Sequence, residues 1–277
     1  MSNRKRHTSK SNTSMLDIII ATGGRFDMLR KCLQALEAQK NAPPFSVYII
    51  DNNTDNKERL YNKDVFEMPV ITETKRLTNE VGFPKANNEG VRIGNSPLIL
   101  FLNDDVELMP DALKIMVDTL DDEQIGIVGA KLTFPVDSAS KARPAGRVQH
   151  IGMGMGINSE MVHPLVGWSS DNPKCNISRE VISVTGACLM TRRSLFRQLG
   201  GFFEGYGAGT FEDVDYCFGV QSLEKKVYIN VDAQGTHYTG ATVEKKQRGY
   251  PLQQNNLIFR ARWQSSGLFR WTSYEFM

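Results

Sequence analysis

Short apolar segments alternate with segments of helical periodicity between residues 15 and 134. In the first helical segment, Phe26, Leu29, Leu33 and Leu36 recur at spacings of three and four, which places them on one face of a helix. The apolar segments are MLDIIIAT (15–22), FSVYIIDNN (45–53), MPVITETK (68–75), SPLILFLND (96–104) and IGIVGAKLTF (125–134). Strands that alternate with helices in this way form a mostly parallel sheet that is covered on both faces. We therefore predict a single α/β domain.

Polar residues and glycines directly follow several of the predicted strands. Asp51 ends the second strand, Asp105 follows the fourth, and the pair Gly23–Gly24 follows the first. The carboxyl ends of parallel strands lie along one edge of the sheet, and open α/β sheets bind their ligands there. These residues therefore mark a candidate ligand-binding edge. The glycine pair is not part of a GxGxxG sequence, so a classical dinucleotide site is not supported.

Asn103, Asp104 and Asp105 form a polar cluster at the end of the fourth strand. Carboxylates in this position suit Mg²⁺ or Mn²⁺, which takes one or two protein carboxylates and completes its coordination with water and substrate phosphates. The alternative is a turn that leads into the next helix, although Pro110 and Asp111 already supply the residues for that helix start. The residues alone leave both interpretations open.

A second acidic cluster, Glu212, Asp213 and Asp215, follows the glycine-rich segment GYGAGT. Acidic residues in a first helical turn are favoured by the helix dipole, which explains one of them without any function. A carboxylate at a junction between a loop and a helix is also well placed to accept a proton from a substrate hydroxyl. His237 is isolated in the sequence and follows a later predicted strand. It is either a residue that packs in the fold or a metal ligand.

Composition limits the possible classes of protein. The 277-residue chain is 40% apolar and has a formal net charge of +2, so net charge alone predicts no polyanionic partner. Residues 1–14 are basic and polar, which predicts a disordered tail and not a secretory signal. No apolar run approaches the roughly 18 residues of a transmembrane helix. The four cysteines include no CxxC pair, which argues against a disulfide framework or a zinc site and favours a reduced, cytoplasmic setting.

Eight ordered segments resemble the inverting family 2 glycosyltransferases of the GT-A fold, and most closely their rhamnosyltransferase-like branch. The segments are IIIATGGR, YIIDNNTDN, NEVGFPKANNEGV, LILFLNDDVELMPDAL, IGIVGAKL, VTGACLMTRRSLFRQLGGFFEGY, FEDVDYCF and THYTGAT. The resemblance covers about residues 15–263 and implies a donor half (about 15–132) and an acceptor half (about 133–263), followed by a C-terminal extension (264–277). It also implies transfer of a sugar from a UDP-, dTDP- or GDP-linked donor to an acceptor hydroxyl, with inversion of configuration.

The resemblance also implies roles for individual residues. Asp105 matches the last Asp of the family's DxD-like metal motif, His237 the second metal ligand, and Asp213 the catalytic base, with Glu212 beside it. The residues assigned to donor binding are Thr22, Arg25, Asp51, Gly82, Phe83, Asn87 and Asp104. The implied cofactor is Mn²⁺ or Mg²⁺, bridging the diphosphate. The family usually has an aromatic residue and an asparagine where this chain has Gly23–Gly24, so the identity of the nucleotide stays open.

The acceptor is the least constrained part of this interpretation. Residues 133–173 are rich in Gly, Pro, Ser and Met, include a basic insert at about 137–149, and predict a lid or a binding loop. A cell-surface glycan or a lipid-linked saccharide is the expected acceptor. The basic tail, the insert and the FRARW segment (259–263) also allow hydroxylated nucleic acid, as in phage enzymes that glycosylate DNA, or peripheral contact with the inner face of an anionic membrane.

Two other classes of protein fit less well. A catalytically silent module that binds a nucleotide or glycan would be expected to lack the base or a metal ligand, and this chain has Asp105, Asp213 and His237. A sugar-1-phosphate nucleotidyltransferase would need a glycine-rich, basic phosphate loop after the first strand, which TGGRFDML resembles poorly.

Overall fold

The computed structural model describes residues 14–53, 55–137, 143–156, 161–238 and 251–269. Most of the predicted basic tail, Lys141 in the basic insert, the end of the THYTGATV segment from Thr239 onward and residues 270–277 lie outside the described residues. None of the helices within these ranges is long and apolar enough to cross a lipid bilayer.

Strands and helices alternate as predicted. The strands are β1 (Leu16–Thr22), β2 (Phe45–Asp51), β3 (Ile71–Arg76), β4 (Leu98–Leu102), β5 (Val106–Leu108), β6 (Ile125–Thr133), β7 (Val148–His150), β8 (Gly154–Met155), β9 (Met161–Val162), β10 (Arg179–Glu180), β11 (Cys188–Arg192) and β12 (Lys226–His237). The helices are α1 (Phe26–Glu37), α2 (Asn56–Tyr61), α3 (Phe83–Val91), α4 (Ala112–Thr119), α5 (Arg193–Gln198), α6 (Glu212–Ser222) and α7 (Leu252–Trp263). Short 3₁₀ helices cover Lys63–Glu67, Pro173–Cys175 and Glu204–Tyr206.

The main sheet has the strand order β10-β12-β6-β11-β4-β1-β2-β3, with β5 paired to β12 and β7 paired to β6. Strands β1, β2, β3 and β4 pair in parallel, as do β6 and β12. Strand β11 runs antiparallel to both of its neighbours, β4 and β6. The prediction of a mostly parallel α/β sheet is therefore confirmed, with β11 as an antiparallel insertion that joins its two parallel parts.

Alternate residues of the buried strands pack on opposite faces of the sheet, as the two-residue period of a strand requires. In β1, Ile18 and Ile20 belong to the core that includes Leu29 of α1. Ile19, between them, belongs to a second core that includes Ala86 of α3. Both faces of the strand are therefore buried, which explains why its sequence is continuously apolar and not alternating.

The strand register brings the predicted ligand-binding residues to one edge of the sheet. Thr22 and Asp51 are register partners at the ends of β1 and β2, and Asp51 pairs in turn with Arg76 at the end of β3. In the part of the sheet beyond β4 and β11, His237 at the end of β12 is the register partner of Val106 in β5. Because Val106 directly follows Asp105, this pairing places the imidazole beside the acidic cluster.

Two regions differ from the sequence-based expectation. Residues 133–173, predicted as long loops, contain β7 on the edge of β6 and the small β8–β9 pair. The sequence of residues 180–202 predicts one strand followed by a short helix, but in the structure the strand part is interrupted between β10 and β11. The interruption has a topological cause, because β10 pairs with β12 whereas β11 lies between β6 and β4, so the chain must cross the sheet through residues 181–187.

Candidate functional site

Asp105 and His237 face each other at the carboxyl edge of the sheet. The Nε2 atom of His237 lies 3.1 Å from Oδ1 of Asp105, and the Nδ2 atom of Asn103 lies 3.5 Å from the same nitrogen. Asp105 is 7% exposed and His237 is 8% exposed. The structure therefore brings together, within largely buried surroundings, the two residues that the sequence assigned as metal ligands.

The imidazole of His237 is oriented by Gln149 of β7. The Nε2 atom of Gln149 donates to the carbonyl oxygen of His237 at 3.0 Å, which leaves the amide oxygen of Gln149 facing the ring. That oxygen lies 2.7 Å from Nδ1 of His237, so Nδ1 must carry a hydrogen and donate it. In the neutral ring, the lone pair is then on Nε2, directed at Asp105. A second polar group that fixes a ligand histidine in this way is common in metal sites.

These residues fit a divalent cation. When the ring is neutral, the Nε2 lone pair and the Asp105 carboxylate oxygen, 3.1 Å apart, both face a position that suits a cation, whereas a protonated ring donates its Nε2–H to Asp105 instead. In addition, the buried Oδ2 atom of the neighbouring Asp104 has no hydrogen-bond partner among the described residues. The described residues contain no group of three or more His, Cys, Asp and Glu side chains arranged to hold a metal. One carboxylate and one imidazole would leave most coordination positions of a divalent cation to water and substrate phosphates.

Asp104 and Asp105 have opposite pKa shifts. Burial and the adjacent charge of Asp105 raise the pKa of Asp104 to about 7, although the Thr22 hydroxyl, Arg25 and a backbone amide oppose the rise. Burial would also raise the pKa of Asp105, but the positive charge and the Nε2–H hydrogen bond of a protonated His237 ring hold it below its usual value. The site therefore favours the ionised form of the carboxylate that faces the histidine.

Asp213 and Glu212 begin helix α6, and each has a carboxyl group with a raised pKa. Burial raises the pKa of Asp213, against hydrogen bonds from the backbone N–H groups of Gly186 and Val214. The Gly186 N–H lies 2.8 Å from Oδ2 of Asp213. Burial and the neighbouring Asp213 raise the pKa of Glu212 well above its usual value. One oxygen of Glu212 is buried and has no hydrogen-bond partner in the part of the chain that the structure describes. A raised pKa makes Asp213 a stronger base than a solvated aspartate.

Two consecutive residues connect the predicted base to the metal-binding cluster. Gly186 holds Asp213 through its N–H, and the carbonyl oxygen of Ala187 accepts a hydrogen bond from the N–H of Asn103 at 2.9 Å. Adjacent Cα atoms are only about 3.8 Å apart. The base and the acidic cluster, which are more than 100 positions apart in the sequence, are therefore neighbours in the fold.

The segment Gly82–Phe83 at the start of α3 lies against the loop that precedes the base. A Cβ on Gly82 would stand 1.5 Å from the carbonyl oxygen of Gly207, and the Phe83 N–H donates to the carbonyl oxygen of Ala208 at 3.1 Å. A Cβ on Gly186 would lie 3.4 Å from the ring of Phe83. Asn87 is buried, and its Nδ2 donates to the carbonyl oxygen of Phe83 at 3.0 Å. These three residues, which the resemblance assigns to donor binding, thus border the predicted base.

The remaining donor-binding candidates, Thr22, Asp51 and Arg25, occupy the ends of β1 and β2 and the turn after β1. Asp51 is fully buried and accepts a hydrogen bond from Nε of Arg59 at 2.6 Å, with Nε of Arg76 at 3.9 Å. Arg25 lies near enough for its charge to lower the pKa values of Asp104 and Asp105. Sequence reasoning missed Arg59, Arg76 and Gln149, because each contributes only one ordinary polar side chain from a segment without a motif.

The fold is that of the GT-A type, as a comparison with solved structures shows. The structure resembles that of GalNAc-T7 with UDP, GalNAc and Mn²⁺, with a TM-score of 0.65, 12% identity and coverage of 91% of this chain and 55% of that one. It also resembles the mannosyltransferase PcManGT from Pyrobaculum calidifontis in complex with GDP-Man and Mn²⁺, with a TM-score of 0.58, 16% identity and coverage of 89% and 61%. At these identities the likeness concerns the fold alone.

The family model of glycosyl transferase family 2 matches residues 17–200, and the chain belongs to this family. It is 31% identical over 204 residues to the O-antigen biosynthesis protein RfbC of Myxococcus xanthus, a match covering 70% of this chain and 15% of that protein. It is 25% identical over 216 residues to the uncharacterized protein y4gI of Sinorhizobium fredii, covering 76% of this chain and 23% of that protein. The chain thus spans less than a quarter of the length of these curated relatives.

Proposed function

We propose that this chain is a metal-dependent, inverting glycosyltransferase that moves a sugar from a nucleotide-diphosphate donor to an acceptor hydroxyl. The observation that carries the proposal is the link through residues 186 and 187. Gly186 binds the carboxylate of Asp213, and Ala187 binds the backbone of Asn103, which directly precedes the two aspartates at the end of β4. A base next to an acidic metal motif at the carboxyl edge of an α/β sheet is the arrangement that this transfer requires.

Asp213 is the proposed base. Its carboxylate accepts the proton of the acceptor hydroxyl as that oxygen attacks the anomeric carbon, and the C1–O bond to the diphosphate breaks on the opposite side, so configuration inverts. Oxocarbenium character develops at the sugar, as in glycoside hydrolysis. Asp105 and His237 would hold Mn²⁺ or Mg²⁺, which when bound supplies positive charge to the diphosphate leaving group. Glu212 lies beside the base, and burial raises its pKa and favours its neutral form.

The donor is proposed to lie along the ends of β1 and β2. Thr22 and Asp51 would meet the nucleobase and ribose, with Arg25 and Asp104 between them and the metal site. Gly82, Phe83 and Asn87 would close over the nucleotide from the start of α3. The contacts of Gly82 and Phe83 with the loop before Asp213 support this assignment, because they connect donor-side closure with the position of the base.

The proposed acceptor is a cell-surface glycan or a lipid-linked saccharide. The Myxococcus xanthus relative is named as an O-antigen biosynthesis protein, which supports this class of acceptor. Hydroxylated nucleic acid, the alternative suggested by the basic segments of the sequence, predicts that acceptor binding weakens steeply as salt rises, since phosphate contacts release counterions.

The first test is donor binding. The purified chain would be heated with Mn²⁺ or Mg²⁺ and a panel of UDP-, dTDP- and GDP-sugars. A donor at ~100 times its Kd should stabilise the folded state by about 2.7 kcal/mol, which corresponds to a rise in melting midpoint of at least about 2–4 °C. The rise should require the metal and should disappear in Asp105→Asn. NMR of the product formed with the positive donor should then show the inverted anomer. A retained configuration, or no metal-dependent shift with any donor, would contradict the proposal.

A further inference from the structure

The loop that leads into the predicted base has an unusual backbone. Gly207 and Gly209 have positive φ angles of 61° and 135°, and the non-glycine residues Thr210 and Phe211 have φ angles of 76° and 73°. Two consecutive L-residues in the left-handed region are unfavourable, above all a β-branched threonine, and persist only where the surroundings impose them. Phe211 directly precedes Glu212 and Asp213, so this conformation sets the direction in which helix α6 begins.

Asn255 of helix α7 supplies the restraint. Its side chain is 2% exposed. Its Nδ2 atom lies 3.0 Å from the carbonyl oxygen of Tyr206 and 2.8 Å from that of Gly209. It also lies 3.1 Å from both the carbonyl oxygen and the hydroxyl of Thr210. One amide group, with two hydrogens, therefore serves four acceptors on the strained loop. A carboxylate could donate none of these hydrogen bonds, and an aliphatic side chain would leave the buried carbonyl groups unsatisfied.

The other end of α7 is fixed to helix α6 through Asp215. The carboxylate of Asp215 accepts hydrogen bonds from Nε of Arg262 at 2.7 Å and Nε1 of Trp263 at 2.6 Å. The hydroxyl of Tyr206, at the start of the same loop, donates to it at 2.9 Å. Helix α7 is thus attached to the helix that carries the base and to the loop before it. This helix lies beyond residues 17–200, the part of the chain that the family model matches.

The restrained loop also contacts the donor-closing segment. The Gly207 carbonyl oxygen lies where a Cβ on Gly82 would stand, at 1.5 Å, and the Ala208 carbonyl oxygen accepts from the N–H of Phe83. Both acceptors belong to the segment between Tyr206 and Gly209, whose two ends Asn255 binds. The amide is therefore connected through one short loop both to the base and to the segment proposed to cover the nucleotide.

We infer that Asn255 is a positioning residue, which holds residues 206–211 in the conformation that aims Asp213 at the acceptor. The inference rests on the proposed function for the role of Asp213. Misplacement of a reacting group by about 1 Å can cost 10²-fold in rate. Asn255→Ala should therefore lower kcat by about 10- to 100-fold, with a smaller rise in the KM of the donor. The amide hydrogens of residues 207–211 should exchange faster than in the wild type.

The matched control is Gln254→Ala, which removes an exposed amide side chain from the adjacent position of the same helix. It should leave kcat, KM and exchange at residues 207–211 unchanged. All assays would be run well below the melting midpoint of each variant, so that a lower kcat is not a smaller folded fraction. If Asn255→Ala does not fold, Asn255→Ser, which keeps one donor, takes its place and should show an intermediate loss of kcat. Equal kcat values for the Asn255 and Gln254 variants would overturn the inference.

A transfer assay of the wild type distinguishes failure of the proposed function from failure of the inference about Asn255. If the wild type transfers no sugar with any donor, the proposed function fails, and the role of Asn255 is then decided by hydrogen exchange alone. In that case, unchanged protection of residues 207–211 in the Asn255 variant overturns the inference. Faster exchange confined to these residues supports it, and faster exchange throughout the chain contradicts it, because that result would show a general loss of stability.

Discussion

Gln149 fixes the tautomer of His237: its amide oxygen lies 2.7 Å from Nδ1, and its amide nitrogen donates to the backbone carbonyl of the same histidine at 3.0 Å. This double contact joins β7 to the end of β12. It leaves Nε2 as the only ring nitrogen that can present a lone pair toward Asp105, so the proposed role of His237 as a metal ligand depends on the hydrogen bonds of Gln149.

Gln149→Leu should therefore weaken Mn²⁺ binding by about 10- to 100-fold, the usual cost of removing a group that orients a metal ligand. Gln149→Glu is the comparison variant: it keeps an oxygen acceptor for Nδ1–H but loses the donor to the His237 carbonyl, and it should retain more of the affinity than Gln149→Leu. Free Mn²⁺ would be measured by electron paramagnetic resonance during a titration in the presence of the nucleotide. Equal affinities for the wild type and Gln149→Leu would show that Gln149 does not orient the ligand.

Asp213→Asn should lower turnover by at least about 10²-fold, at the low end of contributions from a general base. Asparagine keeps the size of the side chain and can still accept the Gly186 N–H through its amide oxygen. Metal-dependent nucleotide binding, followed by the melting midpoint, should survive the substitution. Turnover close to that of the wild type would show that Asp213 is not the base.

On the acid side, kcat/KM should fall at a pH above the usual pKa of an aspartate. The base works only when deprotonated, and burial raises the pKa of Asp213, so activity is lost as pH falls through that raised pKa. Since burial raises the pKa of Glu212 well above its usual value, glutamine would resemble its neutral form, and Glu212→Gln should leave this fall at the same pH. A downward shift of more than about 0.5 pH unit would show that Glu212 is charged and itself raises the pKa of Asp213.

The order of strands and helices could be predicted because it depends on local periodicity. Strands β1, β2 and β4 are largely apolar runs followed by polar residues or glycines, and the helices α1 and α4 show apolar residues at spacings of three and four. The antiparallel insertion of β11 could not be predicted, because it depends on which strands pair across the sheet and not on the residues of β11. The short strands within 143–162 were missed for a similar reason, since two- and three-residue strands carry almost no periodic signal.

In the candidate site, residues that lie in sequence motifs could be predicted, whereas residues that orient the motif residues could not. Asp105, His237 and Asp213 could be assigned from ordered motifs, and the structure brings Asp105 and His237 into contact. Gln149 acts on a histidine 88 positions away, and Asn255 binds a loop some 46 positions before it. Neither has a composition or spacing that marks it, because the tertiary fold alone decides which acceptor a buried amide meets.

Gly82→Ala should disturb donor binding and stability together. The added Cβ would stand 1.5 Å from a backbone oxygen and 2.5 Å from a backbone carbon of Gly207, and main-chain atoms cannot rotate away as a side chain can. We expect a loss of about 1–3 kcal/mol in the free energy of unfolding, as for other overpacked positions, and a clear rise in the donor Kd. Lys85→Ala, at an exposed position of the same helix, should change neither. An unchanged donor Kd in Gly82→Ala would show that this contact does not affect nucleotide binding.

Asp17→Asn should lower stability without changing the site. Asp17 is fully buried, bonded to the hydroxyl of Ser96 at 2.6 Å and paired with the buried guanidinium of Arg193. The substitution would leave the cation without its partner, at a cost of about 3–5 kcal/mol. Urea denaturation would measure it, against Asp118→Asn, which removes an exposed ion pair with Lys114 and should cost less than about 1 kcal/mol. Because Asp17 precedes Thr22 by five residues, roughly 17 Å along the strand, turnover per folded molecule should be unchanged. A loss of turnover that exceeds the loss of folded protein would show that the ion pair supports the site as well as the fold.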